Sequence, residues 1–275
     1  MSLTIGVDIG GTKVLGGVVD PQGNVLQTSR RPTPADDVAA TRDVIVEVVR
    51  ELVTAHDVEA VGIGAAGWID ASRSTVLFAP NLAWRNEPLR DYVSAAVDVP
   101  VVVENDANVA AWAEFKYGAA ASADDSMVMF TVGTGIGGGI VLGGQLLRGA
   151  HGMAAEVGHM LAVPEGHLCG CGRLGCIEQF LSGPAKNRER DELGEELAMA
   201  RYGDRLARAF STIINVLDPD VIVVGGGMSK HDEIYTQVPP LLGRHTYHRA
   251  PRTPIVRAAH GDASGVRGAA MLWPG

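Results

Sequence analysis

The cysteines of this chain are concentrated in one short segment that follows a histidine. Cys169, Cys171 and Cys176 are its only cysteines, and they lie within eight residues, after His159. Three thiolates and one imidazole make the closed tetrahedral set of a structural zinc site. Buried free thiols or a redox pair are the alternatives, although three thiols interleaved with glycines rarely serve packing. His167 lies only two residues from Cys169, an awkward spacing for a shared metal, so we predict His159 as the fourth zinc ligand.

Two glutamates flank this predicted zinc site. Glu156 precedes His159 by three residues, and Glu178 follows Cys176 by two. A metal-bound histidine has a second ring nitrogen whose direction the metal fixes. Such a nitrogen beside two carboxylates offers the aligned donors and acceptors that the hydroxyls of a polyol need. Helix capping explains Glu178 nearly as well, so these residues alone leave both interpretations open.

Another carboxylate follows an apolar segment. Val101–Val103 predicts a buried strand, which runs through Asn105 and Asp106 into a predicted helix over residues 107–117. In open α/β sheets, ligands bind beyond the carboxyl ends of the strands. Asp106 is therefore placed to accept a proton from a bound hydroxyl, with Asn105 hydrogen-bonding a neighbouring oxygen. Capping of the helix is the competing interpretation, because Asn and Asp are routine N-cap residues.

Glycine turns follow three of the predicted strands. Each exposes successive backbone N–H groups, since glycine can take the positive φ angles that aim them at one point, and such a nest binds phosphate oxygens. The residues concerned are Gly10, Gly11, Thr12 and Lys13, then Thr134, Gly135 and Gly137, then Gly225, Gly226 and Gly227. One such turn alone is more simply a tight β-hairpin. The repetition favours nucleotide binding, with a spacing that matches neither a P-loop nor the Rossmann fingerprint.

Short apolar runs predict the elements that position these residues. Leu3–Val7 begins a three-stranded meander, and Asp8 stands at the end of that strand, where it could orient Mg²⁺ through water or cap the turn. Residues 127–147 predict a second meander with the same order of strand, glycine turn and strand. A duplication of this size indicates two related α/β domains. We place the first domain at residues 1–118. The second and larger domain, at residues 119–263, contains the zinc loop 159–176.

Composition limits the function classes. The chain has 275 residues, of which 46% are hydrophobic and 20% charged, so a disordered chain is excluded. The net charge of −9 argues against a nucleic-acid or anionic-membrane surface, both of which need clustered cations. The N-terminal residues lack the basic region of a signal peptide, and we expect a cytoplasmic protein. Residues 126–147 carry no charge, but their glycines favour a buried hairpin over a membrane span.

Five motifs in order resemble the ROK family of sugar kinases, and within it the actinobacterial-type glucokinases. They are Asp8-Ile-Gly-Gly-Thr-Lys13, Glu104-Asn-Asp-Ala-Asn108, Gly133-Thr-Gly-Ile-Gly-Gly-Gly139, Glu156-Val-Gly-His159 and Cys169-Gly-Cys-Gly-Arg-Leu-Gly-Cys-Ile-Glu178. The match runs from residue 3 to about 183 and resumes near 205–270. Any one of these motifs is weak, whereas the ordered set is highly specific.

The resemblance implies an actin-like, ribonuclease-H-like fold of duplicated domains, in which a C-terminal helix 264–275 completes the first domain. It also implies that ATP-Mg²⁺ and a sugar bind in an interdomain cleft. It implies phosphorylation of glucose at the 6-hydroxyl, with Asp106 as the base, a structural Zn²⁺, and a homodimer or homotetramer. The implied sugar ligands are Gly67, Asn105, Asp106, Glu156, His159 and Glu178. The implied nucleotide-binding residues are Gly10–Thr12 and Thr134–Gly137 at the phosphates and Gly225–Gly227 near adenosine.

The chain departs from the family pattern after the zinc loop. Only Pro184–Arg208 stands where the family has a longer helical segment, and we expect the charges of Lys186–Asp191 to be solvated. Rival functions are a kinase for another hexose or an N-acylated amino sugar, such as N-acetylmannosamine, N-acetylglucosamine or fructose, and a glucokinase that uses polyphosphate. A more distant rival is a sugar-responsive repressor, disfavoured because the first predicted strand begins at Leu3, without a preceding DNA-binding module.

Overall fold

The computed structural model describes residues 2–247 and 252–273, with the backbone alone at Asp262. The strands are β1 (Leu3–Ile9), β2 (Lys13–Val19), β3 (Val25–Pro32), β4 (Val58–Ala65), β5 (Trp68–Ile69), β6 (Val76–Phe78), β7 (Arg85–Glu87), β8 (Val101–Asn105), β9 (Met127–Val132), β10 (Ile136–Leu142), β11 (Gln145–Leu146), β12 (Val221–Gly225) and β13 (Ile255–Arg257). The helices are α1 (Val38–Ala55), α2 (Leu89–Ser94), α3 (Asp106–Tyr117), α4 (Glu178–Leu181), α5 (Gly183–Leu193), α6 (Glu195–Leu217), α7 (Glu233–Leu242) and α8 (Ser264–Ala270). This alternation confirms the predicted α/β class.

The chain divides into two compact units. Unit 1 consists of Met1–Gly118, Leu146–Ala154 and Asp262–Gly275, and unit 2 of Ala119–Gln145 and Ala155–Gly261. The segment Leu146–Ala154 lies with unit 1, whereas the sequence placed it in a second domain over 119–263. Its attachment has two causes. Arg148 forms an ion pair with Glu104 at 2.7 Å, and Gly152 packs so closely on the backbone of Ile69–Ala71 that a Cβ there would overlap it.

Unit 1 is built on a five-stranded sheet of order β3-β2-β1-β4-β8. β2 runs antiparallel to β1 and β3, while β4 is parallel to β1 and β8, with Ile63 opposite Val103. Helix α8 crosses β1 and β4 at Gly6 and Gly62, where any Cβ would overlap the helix backbone. Close packing therefore requires glycine at both positions. Helix α8 ends at Ala270, short of the predicted 275, and residues 274–275 lie outside the described part of the chain.

Helix α1 shows how the apolar spacing produces this packing. Ile45, Val48, Val49 and Leu52 are fully buried, and their spacing is that of the apolar face of an amphipathic helix. The helix packs on β2 and β3. Its first turn is capped by Asp37, whose carboxylate accepts a hydrogen bond from the backbone N–H of Ala40 at 3.0 Å, which satisfies one of the free donors of a helix start.

Unit 2 repeats the strand order of unit 1 in its own sheet, β11-β10-β9-β12-β13. β10 is antiparallel to β9, and β12 is parallel to β9 and β13, with Val223 opposite Met129. The charge-free residues 126–147 thus form strands β9–β11 of a sheet, as the glycine content predicts. Among the described residues, no helix combines the length and apolarity that crossing a bilayer would require. The repeated order is that of a duplicated domain.

The predicted solvation of Lys186–Asp191 is wrong for Lys186 and Glu189, whereas Asn187, Arg188 and Asp191 are exposed as predicted. These residues lie in α5, which packs on α6, so part of the charged set faces the protein. Lys186 is only 6% exposed, and its Nζ lies 2.9 Å from Glu195. Glu189 is similarly covered and pairs with Arg205 at 2.6 Å. The charges are tolerated because each buried member has an ionic partner.

Candidate active site

Asn105 and Asp106 stand at the junction of β8 and α3 in unit 1. The Asn105 side chain is the N-cap: its Oδ1 accepts hydrogen bonds from the backbone N–H groups of Ala107 at 2.9 Å and Asn108 at 3.0 Å. Its Nδ2 donates to the carbonyl of Gly67 at 2.9 Å. The capping interpretation therefore applies to Asn105, and Asp106 begins the first helical turn. The structure brings these three predicted sugar ligands of unit 1 together.

The carboxylate of Asp106 is held at one oxygen. Oδ1 accepts a hydrogen bond from the backbone N–H of Ala107 at 2.9 Å, and Oδ2 has no hydrogen-bond partner among the residues that the structure describes. Burial raises the pKa of Asp106, and the backbone hydrogen bond from Ala107 opposes that rise. A positioned carboxylate with one open oxygen and a raised pKa is suited to accept a proton.

Gly67 has a conformation that side chains rarely adopt. Its φ is 126°, and a Cβ there would overlap the carbonyl of Phe78. Glycine is therefore required for its carbonyl to reach Asn105. Within unit 1 this turn and the start of α3 form one hydrogen-bonded group.

A buried ionic cluster, which the sequence did not predict, supports the same strand end. Glu104 is 2% exposed, and its Oε2 lies 2.7 Å from Nε of Arg148 and 3.4 Å from Nε of Arg73. Its Oε1 accepts hydrogen bonds from Asn108 Nδ2 and from the backbone N–H of Asn105, both at 3.1 Å. Burial, together with the nearby Arg148, lowers the pKa of Arg73 to about 10, against the opposing pull of Glu104. The cluster fixes the residue directly before Asn105 and Asp106.

We expect Arg148→Met to lower the free energy of unfolding by about 3 kcal/mol. That is the lower end for breaking a buried ion pair, because Arg73 remains beside Glu104. Urea denaturation of the full-length protein measures the change in the free energy of unfolding. The control is Arg190→Met, which removes an exposed pair with Asp191 at 2.9 Å and should cost less than about 1 kcal/mol. Equal losses of unfolding free energy in the two variants would show that the buried ion pair stabilises the protein no more than an exposed one.

Asp8 and the first glycine turn lie at the other predicted site of unit 1. The Asp8 side chain packs against Gly265 in α8, where an added Cβ would lie 2.7 Å from Asp8 Cγ. The turn is held by a hydrogen bond from Gly10 N–H to the carbonyl of Lys13 at 3.0 Å and by Thr33 Oγ1, which donates to the carbonyl of Gly10 at 2.8 Å. It is the hairpin connection between β1 and β2, with Thr12 exposed.

The second turn, in unit 2, has the same place between β9 and β10. Gly133 N–H donates to the carbonyl of Gly135 at 2.9 Å, and Ile136 N–H donates to Glu178 Oε2 at 3.0 Å. Thr134 is exposed. The expectation of positive φ is wrong for the first two turns: Gly10, Gly11, Gly133, Gly135 and Gly137 do not have it. At Gly135 the reason for glycine is space, because a Cβ would lie 2.6 Å from Glu178 Oε2.

The third turn follows β12 and does contain a left-handed residue. Gly226 has φ 77°, and a Cβ there would lie 2.5 Å from the carbonyl of Val132. Gly227 has open space around its Cα, and Gly225 packs on Met129. Ser229 closes the turn by donating from Oγ to the carbonyl of Gly226 at 2.8 Å. The chain therefore crosses the end of β9 with little side-chain bulk.

The predicted zinc ligands converge in unit 2. One potential ligand atom from each of His159, Cys169, Cys171 and Cys176 lies within 4.8 Å of all the others. The Sγ atoms of Cys171 and Cys176 are 3.6 Å apart, as are Sγ of Cys169 and Nδ1 of His159. These separations fit a tetrahedral ion with bonds of roughly 2.0–2.3 Å, so the residues fit Zn²⁺. His167 lies instead against the ring of Phe180, at 5.4 Å between centroids.

The protonation of the cysteine thiols affects how readily these four residues can bind a metal. Burial acts to raise the pKa of Cys171, but hydrogen bonds with Arg173 and the other thiols hold it at about 6. Burial, with the neighbouring thiols, raises the pKa of Cys176 to about 12. One thiolate is thus available near neutral pH, and a bound metal would replace the protons of the others.

Glu156 and Glu178 border the cysteine group on two sides. Glu156 Oε2 lies 3.8 Å from His159 Nε2, the ring nitrogen opposite the one that faces Cys169. Glu178 Oε1 lies 3.5 Å from Cys169 Sγ, while its Oε2 accepts from Ile136 N–H. The three predicted sugar ligands of unit 2 are therefore neighbours. Glu178 links the glycine turn to the cysteine group, a contact that the sequence did not indicate.

Comparison with known proteins decides the family. The model of the ROK family matches residues 4–275. The chain belongs to the ROK family. A glucokinase from Streptomyces coelicolor is 41% identical over 315 residues, covering 99% of this chain and 98% of the relative. An N-acetyl-D-glucosamine kinase from Salmonella typhimurium is 37% identical over 306 residues, covering 97% and 98%.

A solved structure agrees with this assignment. The ROK family glucokinase from Streptomyces griseus, in complex with glucose and AMPPNP, has a TM-score of 0.83 and 39% identity, with 98% of each chain covered. The predicted family and the actin-like, ribonuclease-H-like fold of duplicated domains are confirmed. The 315-residue match to the Streptomyces coelicolor relative leaves at least 40 positions without a counterpart in this ROK chain of 275 residues.

Proposed function

We propose that this ROK protein transfers the γ-phosphoryl group of ATP to the 6-hydroxyl of glucose, with Asp106 as the general base. It is a sugar kinase, the class to which its full-length relatives belong, and those relatives also support ATP as the donor. The choice of glucose rests on the glucokinase relatives. The observation that carries the role of Asp106 is its carboxylate, which accepts a hydrogen bond at Oδ1 from the start of α3 while Oδ2 has no hydrogen-bond partner among the described residues.

The reaction divides among residues of this chain as follows. Asp106 accepts the proton of the 6-hydroxyl while that oxygen attacks the γ-phosphorus and ADP leaves. Asn105, Glu156, His159 and Glu178 bind sugar hydroxyls. Backbone N–H groups of the turns after β1 and β9 bind phosphate oxygens, and Gly225–Gly227 borders the adenosine. Asp8 would hold Mg²⁺ through water, and that ion would neutralise charge on the phosphates.

The cysteine group has a structural part in this proposal. His159, Cys169, Cys171 and Cys176 would hold Zn²⁺, which would cross-link the segment from residue 159 to residue 176. His159 belongs to that group, Glu178 borders it at Cys169, and Glu156 lies against His159. A metal held there would order the sugar ligands of unit 2.

The pH dependence of turnover follows from the raised pKa of Asp106. A base works only when deprotonated, so we expect kcat/KM to fall as the pH drops through the pKa of Asp106, with a midpoint above its ordinary value of 3.8. Substitution of a glutamate outside the candidate site should leave this fall of kcat/KM at low pH unchanged. A profile of kcat/KM against pH at constant ionic strength measures it, and a flat profile down to that ordinary value would contradict the assignment.

N-acetylglucosamine is the second candidate substrate, because a kinase for that sugar is 37% identical over nearly the whole chain. A coupled ADP-release assay with glucose, N-acetylglucosamine, N-acetylmannosamine and fructose tests the choice, with ATP and polyphosphate as parallel donors. We expect the highest kcat/KM for glucose with ATP. A higher value for an N-acylated sugar would overturn the glucose assignment, and turnover of none of them would overturn the proposed function.

A further inference from the structure

Three parallel strands of unit 1 end side by side at one edge of its sheet. Ala65, at the end of β4, lies opposite Ile9 on β1 and opposite Asn105 on β8. Neighbouring strands lie about 4.8 Å apart, so β1 and β8 end roughly 10 Å from each other. In the proposed function, on which this inference rests, phosphate binds at the glycine turn after β1, and the sugar binds at Gly67 after β4 and at Asp106 after β8.

The segment 78–81 crosses this edge of the sheet between the two turns. A Cβ at Gly67 would overlap the carbonyl of Phe78 and lie 2.9 Å from Ala79 Cα. A Cβ at Gly11 would lie 3.1 Å from Asn81 Cβ. The segment therefore contacts the proposed sugar end of the edge with its first residues and the proposed phosphate end with its last. Asn81 stands on the phosphate side, where the transferred group must pass toward the sugar.

The side chain of Asn81 is available to a ligand, while its backbone is held in place. Asn81 is exposed, and its amide makes no hydrogen bond with any residue in the described ranges 2–247 and 252–273. Directly after it, Leu82 and Trp84 are buried, and Ala83 N–H donates to the carbonyl of Ala35 at 2.9 Å. A donor that is positioned before the ligand arrives needs little reorganisation during the reaction.

We propose that Asn81 is a further catalytic residue, whose Nδ2 donates a hydrogen bond to an oxygen of the γ-phosphoryl group during its transfer. The charge of that group is spread over three equatorial oxygens, and fixed donors aimed at them stabilise the transition state. Asn81 transfers no proton. The proton of the sugar hydroxyl goes to Asp106, and the bond from phosphorus to ADP breaks as the bond to the sugar oxygen forms.

Substitution of Asn81 tests this role in the full-length protein. We expect Asn81→Ala to lower kcat at least ~10-fold, less than the ~100-fold or more of an enclosed oxyanion-hole donor because Asn81 is exposed. KM for glucose should change little, since the contact is made to the phosphoryl group. Asn81→Asp keeps the size of the side chain but puts a negative charge beside the phosphate, so its kcat should be lower still.

The matched control is Asn86→Gly. Asn86 is an exposed asparagine of β7 with φ 52°, a conformation that glycine adopts freely, so this variant should fold and turn over like wild type. Circular dichroism of all three variants should match that of wild type. A loss of kcat confined to the Asn81 variants then reflects the amide group itself.

Nucleotide binding separates the γ-phosphoryl group from the other phosphates. Calorimetry should show that Asn81→Asp binds the ATP analogue AMPPNP at least ~10-fold more weakly than wild type, because like charges in contact repel. Its affinity for ADP, which lacks the γ-phosphoryl group, should change much less. Equal weakening for the two nucleotides would overturn the assignment to that group.

The remaining outcomes distinguish this inference from the proposed function. A wild type that phosphorylates none of the sugars would overturn both. If wild type is active and Asn81→Ala retains its kcat, the role of Asn81 alone is wrong. A raised KM for glucose at unchanged kcat would assign Asn81 to the sugar and overturn its assignment to the phosphoryl group.

Discussion

The Asp106→Asn enzyme should lose at least ~100-fold in kcat, the lower end for removal of a positioned general base. Asparagine keeps the size of the side chain, and its Oδ1 can still accept the hydrogen bond that Asp106 receives from Ala107 N–H at 2.9 Å. The start of α3 should therefore stay folded, because Asn105 remains the N-cap. What is lost is the open, deprotonated oxygen that takes the proton from the sugar.

Separate measurement of kcat and KM distinguishes this role from a binding role. Loss of a base acts on the chemical step, so KM for glucose should change by only a few fold while kcat falls. Asp57→Asn is the matched control, because Asp57 is an exposed aspartate of unit 1, outside the candidate site. Near-normal turnover of Asp106→Asn with unchanged circular dichroism would rule out Asp106 as the base.

The strands and helices were largely predictable because their signals are local. β9 begins the meander predicted over residues 127–147, and α3 begins within one residue of the predicted helix start at residue 107. Buried strands show as apolar runs, and an amphipathic helix shows its spacing within the segment itself. Such signals depend on no distant partner, which is why they survive in a single sequence.

The long-range contacts could not be predicted in this way. Glu104 meets Arg148 across 44 residues of chain, and nothing in either segment indicates the other. The same holds for Lys186, whose burial depends on α5 packing on α6. Charged residues in a polar run predict solvation on average, and only the packed helices show which of them are covered and paired.

The glycine turns show a second kind of limit. Their glycines correctly marked the ends of β1, β9 and β12, but the residue type does not say why a side chain is excluded. At Gly226 the cause is a positive φ, whereas at Gly135 it is the carboxylate of Glu178 in the place of a Cβ. For the candidate site, the motifs identified residues that the structure then places in two groups, one in each unit. Their roles remain predictions.

Removal of the predicted zinc should weaken glucose binding by ~10-fold or more while ATP binding changes little. The reason is the position of the sugar ligands around the cysteine group. Glu156 lies against His159, and Glu178 lies 3.5 Å from Cys169 Sγ, so both lose a fixed neighbour when the ligands separate. The glycine turns after β1 and β12, proposed to hold phosphates and adenosine, contain none of the four metal ligands, so the affinity for ATP should fall less than the affinity for glucose.

Two histidine variants make this prediction specific. His159→Gln removes a ligand from the cysteine group, whereas His167→Gln alters a nearby histidine that packs on Phe180 and is not in the group. Metal analysis should find about one zinc per chain in wild type and in His167→Gln, and little in His159→Gln. Because His159 is also a proposed sugar ligand, Cys171→Ser serves as a variant that removes a ligand of the metal alone.

Calorimetry then relates metal content to sugar affinity. Glucose binding should weaken in Cys171→Ser and in wild type treated with a zinc-selective chelator in excess Mg²⁺, and added Zn²⁺ should restore it in the chelated wild type. The excess Mg²⁺ matters, since loss of that ion would lower the affinity for ATP instead. If the metal-free protein bound glucose as tightly as the zinc form, the cysteine group would have no part in ordering Glu156 and Glu178, and its role would be confined to the stability of unit 2.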